Sequence, residues 1–314
     1  MILLCEMRIF IRLSTISCSM KVGLIGLGKM GSHMAIRLLN TGHKINVYNR
    51  DIVKANPFVK MGASVLKTPR DIALNCDFVL ICITNFDAVK EVCFGKNGIV
   101  TADRKQLIIA DSSTISPEQS KYCAEGLGQK EIDYIGMPVM GGPAAAEKGE
   151  LVNIVAGAKR AFLKVKPIID KLAKSVFYIS KDAGSANLLK LALNLNIALI
   201  AGALSEGITL VKAASINPEI FIKIINSTYF KTGLSENKGP RMIKDDFQPT
   251  FYLKNMLKDL ELSISTSHSV GVSLPLTSLT QQIYRAASNM GYSDLDYSAI
   301  AAFMAAINGL DTKK

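Results

Sequence analysis

From residue 21 the chain alternates two hydrophobic patterns. KVGLIG (21–26) is a short apolar, β-rich run that ends in glycine. LGKMGSHMAIRLLNTGH (27–43) follows, with Met30, Met34, Leu38 and Leu39 at helical spacing and Gly42 closing the helix. KINVYNR (44–50) is the next strand. DFVLICI (77–83) and QLIIADSS (106–113) are continuous apolar runs, as expected of parallel strands covered on both faces. EIDYIGMPV (131–139), LVNIVAG (151–157) and SVFYIS (175–180) add three strand candidates, and helical stretches fall between several of these runs. The alternation predicts a doubly wound α/β domain of the Rossmann type over residues 20–182.

After Asp182 the texture changes. Residues 185–214 carry one long helical pattern. ASINPEIFIKIINS, FYLKNMLKDLELSISTSHSVG and PLTSLTQQIYRAASNMG follow with helical period and little β-signal. Residues 183–314 are therefore expected to form an all-α domain whose long first helix starts at the domain junction. In that helix NLLKLALNLN (187–196) is a core segment by composition, with leucines at 188, 189, 191, 193 and 195. Yet Asn187, Lys190 and Asn194 stand at i, i+3 and i+7, on one stripe of the helix. A polar stripe on an apolar helix faces either solvent or a cleft, and Asn187 reads as a cleft-lining residue.

Composition narrows the class. The chain has 314 residues, 49% apolar and 20% charged, which fits a globular protein of two domains rather than a disordered one. Cys5, Cys18, Cys76, Cys82, Cys93 and Cys123 form no CxxC pair and read as reduced thiols in a cytoplasmic protein. His33, His43 and His268 have no metal-ligand neighbour one turn away, so no metal site is expected. The formal charge of +11 is dispersed, without a basic run or an aromatic-and-basic RNA motif. It points to a small anionic substrate and a phosphorylated cofactor rather than nucleic acid. Residues 1–19 are apolar but broken by Arg8 and Arg12, and read as a disordered extension or a mis-assigned start ahead of Met20. No uninterrupted run of 18 apolar residues suggests a membrane span.

GLGKMG places Gly26, Gly28 and Gly31 as G-x-G-x-x-G between a predicted strand and a predicted helix, the setting of a dinucleotide-binding turn. Gly26 permits the tight turn, Gly28 admits the pyrophosphate to the backbone, and Gly31 allows close helix–strand packing. Leu27, Lys29 and Met30 complete the turn, and Thr84 after the strand 77–83 joins the expected cofactor contacts. The second strand ends in Asn49 and Arg50 where an NAD site would carry an acid. Arg50 offers a guanidinium to a ribose 2′-phosphate, which favours NADP(H); Asp51 beside it keeps NAD(H) possible.

The motifs GLIGLGKMG, NR, DSSTISP, MPVMGGPAAAEKG, GSANLLKLALN and FYLKNMLKDLEL resemble, in that order, the β-hydroxyacid dehydrogenases over residues 20–307. The resemblance implies nicotinamide-dependent interconversion of a small 3-hydroxy acid and its semialdehyde. The activities in view are 3-hydroxyisobutyrate dehydrogenase, with glyoxylate/succinic semialdehyde or tartronate semialdehyde reductase as alternatives. It also implies a homodimer or homotetramer. It makes Lys190 and Asn194 the catalytic pair and gives the substrate carboxylate to the loop Pro138–Gly142, with Met140, Gly141 and Gly142 at its centre. Thr114 matches a position near substrate and nicotinamide, Phe251 and Asp259 match positions that close the site, and Lys258 one that contacts the cofactor. Met140 stands where the family usually has serine, Gly136 where it often has an acid, and Ala186 where glycine is common. Imine reductases share the implied fold, but many replace the lysine. A catalytically silent, cofactor-binding interaction module is the reading from a different class.

The chemistry suits such residues. Hydride addition to an aldehyde builds negative charge on its oxygen, and a positioned acid that neutralises it contributes about 10²–10⁴-fold. An ammonium among leucines and beside a cationic nicotinamide is expected to have a depressed pKa, usable as an acid in reduction and a base in oxidation. Two plainer readings stand alongside: Thr114 near the N-cap of the helix that DSSTISPE begins, and Lys258–Asp259 as a solvated helical pair.

Overall fold

The computed structural model describes residues 20–310, so the reading of residues 1–19 lies outside the described residues. The chain opens as β1 (Val22–Ile25), α1 (Lys29–Asn40) and β2 (Ile45–Tyr48). Helix α1 buries Met34, Ala35 and Leu38 on the sheet, each large side chain stabilising by roughly 1.5–3 kcal/mol. Its end follows from one glycine: Gly42 has φ +85°, its N–H donates to Leu39 O at 2.9 Å, and His43 N–H donates to Leu38 O at 3.1 Å.

The strands β3 (Ser64–Val65), β4 (Phe78–Ile81), β5 (Ile108–Asp111) and β6 (Asp133–Gly136) extend the sheet in the order β3-β2-β1-β4-β5-β6, all parallel. Every residue of β1, β4 and β5 is buried, which explains their unbroken apolar runs: helices cover both faces. Of these helices, α2 (Asn56–Lys60) and α3 (Pro69–Asn75) precede β4. Helices α4 (Phe86–Phe94) and α5 (Pro117–Gly128) follow β4 and β5.

Two details differ from the sequence reading. The run 131–139 is broken into β6 and a short β7 (Val139–Met140), because Pro138 between them has no N–H to give a ladder. After α6 (Pro143–Lys148), strand β8 (Leu151–Gly157) returns antiparallel to both β6 and β7. The last crossover, α7 (Lys159–Ile169) to β9 (Ala173–Tyr178), is parallel to β8.

Helix α8 (Gly184–Ala213) spans 30 residues and joins the two halves. Its first turn packs so tightly that a Cβ at Gly184 would lie 2.6 Å from Pro117 O. Further along, Ala198, Ala201, Leu204 and Ile208 build the second core with residues of α12 (Leu253–Ser269), α13 (Pro275–Ala287) and α14 (Ile300–Ile307). Helices α9 (Pro218–Asn226), α10 (Gly233–Asn237) and α11 (Gly239–Ile243) pack at its far end. The sequence pattern gave no separate helix for 233–243 or 300–307.

By length and composition α8 is apolar enough to cross a bilayer, but here it is the scaffold between two cores. The leucines of NLLKLALNLN divide accordingly. Leu191 is buried, whereas Leu188, Leu189 and Leu193 are 39–43% exposed. Composition marked all of them as core; packing reserves the inward face for small residues and for Asn187 and Asn194, which are buried.

Candidate active site

A cleft of about 620 Å³ runs along the C-terminal ends of β1, β2 and β4 and under the loop before α12. Its centre is the glycine turn. Gly26 takes φ +101°, and a Cβ there would meet Cys82 O at 2.3 Å. A Cβ on Gly31 would sit 1.9 Å from Gly26 O, so helix and strand touch backbone to backbone. At Gly28 a Cβ would meet nothing within 4 Å. That open space lies at the N-cap of α1, which has no side-chain cap; its free N–H groups and dipole form a site for a pyrophosphate. Leu27 is buried behind the turn rather than lining the cleft, and its N–H donates to Asn49 Oδ1 at 2.9 Å. Asn49 thereby ties the end of β2 to the turn.

One end of the cleft is basic. Arg50 is joined there by Lys54 and Lys67, with Thr68 beside them. Asp51 is partly committed elsewhere: its Oδ1 accepts from Val53 N–H at 3.1 Å and caps the short turn Ile52–Lys54. Pro69, Ala88, Val92 and Asn97 line the neighbouring wall. The i, i+4 spacing of Arg50 and Lys54 was available in the sequence. Sequence reasoning missed Lys67, Thr68 and Pro69, because nothing local says which cleft that segment faces.

The other end reaches Thr114, Phe251, Lys258 and Asp259, with Thr250, Tyr252 and Asn255 beside them. Lys29 spans the mouth: its Nζ donates to Pro249 O at 2.6 Å and stands 4.7 Å above the Tyr252 ring. Behind this loop lies a buried pair, Lys238 and Asp296, at 2.7 Å. Asp296 Oδ2 also accepts from the N–H and hydroxyl of Thr250, each at 2.9 Å, so the pair fixes the segment that carries Phe251.

Thr114 sits in a turn held by Asp111. Asp111 accepts from Ser113 N–H at 2.8 Å and from the Tyr134 hydroxyl at 3.0 Å. Burial pushes its carboxyl up to about 6, against the lowering effect of those bonds. The helix that follows is capped by Ser116, in a capping box with Gln119, so Thr114 stands near the N-cap, two residues before it, without being the cap itself. Its carbonyl instead accepts from Lys258 Nζ at 2.6 Å.

The solvated-pair reading of Lys258 and Asp259 falls, since Asp259 is 1% exposed. Its Oδ1 pairs with Lys258 at 2.8 Å and its Oδ2 accepts from Asn194 Nδ2 at 2.6 Å. Asp259 is thus the node joining α12 to the polar stripe of α8. Lys190 is half-buried and is not among the residues of the cleft wall; Met140 Sδ lies 3.2 Å from its Nζ. Burial pulls its pKa from 10.5 down to about 8; the charge of Asp259 opposes the fall and that of Lys258 adds to it. Asn187 is buried, its Nδ2 3.4 Å from Ser113 O and its Oδ1 facing Gly136. Gly136 has no room for the acid often found there, because a Cβ would meet Ala183 O at 2.5 Å. Gly141 takes φ +121° and Gly142 caps α6; both are exposed beside Met140 and lie off the cleft wall. Gly26, Gly28, Lys29, Met30, Gly31, Asn49, Arg50, Thr84, Thr114, Phe251, Lys258 and Asp259 line the cleft itself.

Residues 21–180 match the family model described as the NAD binding domain of 6-phosphogluconate dehydrogenase. Residues 184–304 match that described as NAD-binding of NADP-dependent 3-hydroxyisobutyrate dehydrogenase. The chain is 32% identical to 2-hydroxy-3-oxopropionate reductase of Escherichia coli over 90% of its length and 96% of that protein. It is 30% identical to glyoxylate/succinic semialdehyde reductase 1 of Arabidopsis thaliana over 90% of its length and 97% of that protein. Among solved structures, 3-hydroxyisobutyrate dehydrogenase from Salmonella typhimurium superposes with a TM-score of 0.83 at 26% identity, covering 90% of this chain and 99% of that one.

Proposed function

The chain belongs to the β-hydroxyacid dehydrogenase family, and on that premise we propose that it interconverts a small 3-hydroxy acid and its semialdehyde with NADP(H). The observation that carries the reading is the half-buried Lys190 ammonium, its pKa brought to about 8, in the field of Asp259 and Lys258, which line the dinucleotide cleft. A nicotinamide dinucleotide supplies or accepts the hydride when bound. Lys190 Nζ gives a proton to the substrate oxygen as negative charge grows there, and takes it back in oxidation. Asp259 keeps the ammonium from losing its proton altogether, and Asn194 holds Asp259 by its amide. The backbone N–H groups of Gly141 and Gly142 grip the substrate carboxylate, and Phe251 closes the pocket.

Arg50, Lys54 and Lys67 support the preference for NADP(H), as three cations at one end of the cleft suit a 2′-phosphate. We place the domain division at 182/183, between the last strand and α8. The exposed Leu188, Leu189 and Leu193 on α8 support a homodimer or homotetramer that covers them. The buried thiols of Cys76, Cys93 and Cys123 fit a cytoplasmic protein. Glyoxylate/succinic semialdehyde and tartronate semialdehyde reduction are the alternatives in the same class, supported by the named activities of the relatives.

The test is NADPH consumption by the purified protein against a panel of carboxylic semialdehydes, with Lys190→Ala as control. Turnover that Lys190→Ala abolishes while NADPH binding persists is the expected result. No turnover with any semialdehyde or hydroxy acid leaves the silent-module reading standing instead.

A further inference from the structure

We propose that Asp111 is a positioning residue of the reaction: as an anion it holds the turn 112–114 in the shape that turnover needs. The inference rests on the proposed function, since Ser112 and Thr114 line the same cleft, beside Ile83 and Thr84. Asp111 ends β5 and is 1% exposed. A carboxylate is almost never buried without a partner of opposite charge, yet among the described residues no lysine or arginine acts on this one. Its partners are neutral donors. Oδ1 accepts from Ser113 N–H at 2.8 Å, closing an Asx turn, and Oδ2 accepts from the Tyr134 hydroxyl at 3.0 Å. The Ser113 hydroxyl accepts from Ile83 N–H at 3.1 Å and gives its own proton to the carboxylate. The anion thus ties the loop after β4 to the turn after β5.

From the turn, bonds run to the helical half. Ser113 O accepts from Asn187 Nδ2 of α8 at 3.4 Å, and Thr114 O accepts from Lys258 Nζ of α12 at 2.6 Å. Lys258 is one of two charges that act on Lys190, so the shape of the turn bears on the proton donor. Bonds to an anion are about twice as strong as neutral ones. Protonation of Asp111 keeps the partners but loosens their hold, at a loss of about 10-fold in kcat. The fold gains nothing from the charge. Burial raises the carboxyl from 3.8 to about 6 against the bonds that lower it. Between those values the folded chain binds more protons than the unfolded one, so stability falls as pH rises, and above 6 the full cost is present. A charge kept at such a cost marks a site retained for function. The groups facing the carboxyl are the Tyr134 hydroxyl on β6, the thiols of Cys82 after β4 and Cys93 on α4, and beyond them Cys123 on α5. Burial raises Tyr134, Cys82 and Cys93, so these three keep their protons throughout the range in which Asp111 titrates.

The experiment follows kcat for reduction of succinic semialdehyde and 2-methyl-3-oxopropanoate from about pH 5 to 8, in the full-length protein, Asp111→Asn and Tyr134→Phe. Urea denaturation of each at about pH 4 and 7 runs beside it. Wild-type kcat should fall on the acid side of about 6, toward one tenth of its plateau. Asp111→Asn keeps the shape and the Ser113 bond without the charge. Its kcat should be about 10-fold lower at pH 7 and flat on the acid side, with KM for NADPH nearly unchanged. It should also resist urea better than wild type at pH 7, with the advantage gone by about pH 4. Tyr134→Phe removes a donor that favours the anion, so its acid limb should move to higher pH; this arm decides the matter if the asparagine variant folds poorly. An acid limb that either variant leaves unmoved overturns this inference alone. So does an asparagine variant with wild-type kcat at pH 7, or one less stable than wild type at both pH values, which marks a structural carboxylate. A wild type that reduces neither aldehyde overturns the proposed function together with it.

Discussion

Lys190→Met removes the half-buried ammonium while keeping an unbranched side chain of similar bulk. The fall of the Lys190 pKa from 10.5 to about 8 is caused first by burial. At about 1.4 kcal/mol per pH unit, holding this lysine charged costs the fold roughly 3 kcal/mol. The sign follows from proton counting. Below pH 8 the folded and unfolded chains both carry the proton and the full cost is present. Between pH 8 and 10.5 the unfolded chain binds more protons, so wild-type stability rises with pH and the cost disappears at the top of that window. Asp259 loses a favourable charge in the variant but keeps Lys258 at 2.8 Å and Asn194 at 2.6 Å. The variant should therefore be more stable than wild type at pH 7 by about 1–3 kcal/mol, with the gap closing by pH 10.5. Its turnover should fall about 10²–10⁴-fold. In the wild type, reduction should decline and oxidation rise as pH increases through about 8. Urea denaturation of both proteins at several pH values, beside steady-state rates in each direction, measures all of this. A stability gap that is flat with pH, or a reduction rate indifferent to pH 8, would refute the assignment of a partly desolvated, charged Lys190.

Three further outcomes are expected. Arg50→Ala should raise KM for NADPH about 10-fold or more and leave NADH nearly unchanged, with Lys67→Ala acting in the same direction; equal effects on both cofactors in steady-state kinetics would remove the 2′-phosphate reading. Gly31→Ala puts a methyl 1.9 Å from Gly26 O, and should cost at least 3 kcal/mol or abolish cofactor binding, checked by thermal denaturation and NADPH fluorescence titration. Lys238→Met strands Asp296, which is fully buried. It should destabilise the helical domain by about 3–5 kcal/mol, with Lys238→Met/Asp296→Asn recovering part of the loss in chemical denaturation.

The two halves of the fold and the dinucleotide turn were legible in the chain itself, because both rest on local signals. Period-2 and period-3.6 patterns report which face of an element is covered, and Gly26, Gly28 and Gly31 report where the backbone needs room. The spacing of Asn187, Lys190 and Asn194 also put these residues on one stripe before any contact was known. What covers that stripe was not local. Asp259, 65 residues beyond Asn194, reads as half of a surface pair until α12 is laid against α8. Lys29 and Pro249 meet across 220 residues, and the Met140 sulfur reaches Lys190 from a strand 50 residues earlier. Likewise Leu188, Leu189 and Leu193 look like core by composition and are left at the surface. The division has one cause: periodicity records how a residue faces its own helix or strand, whereas burial, charge neighbours and hence pKa are set by whatever distant segment the fold brings against it.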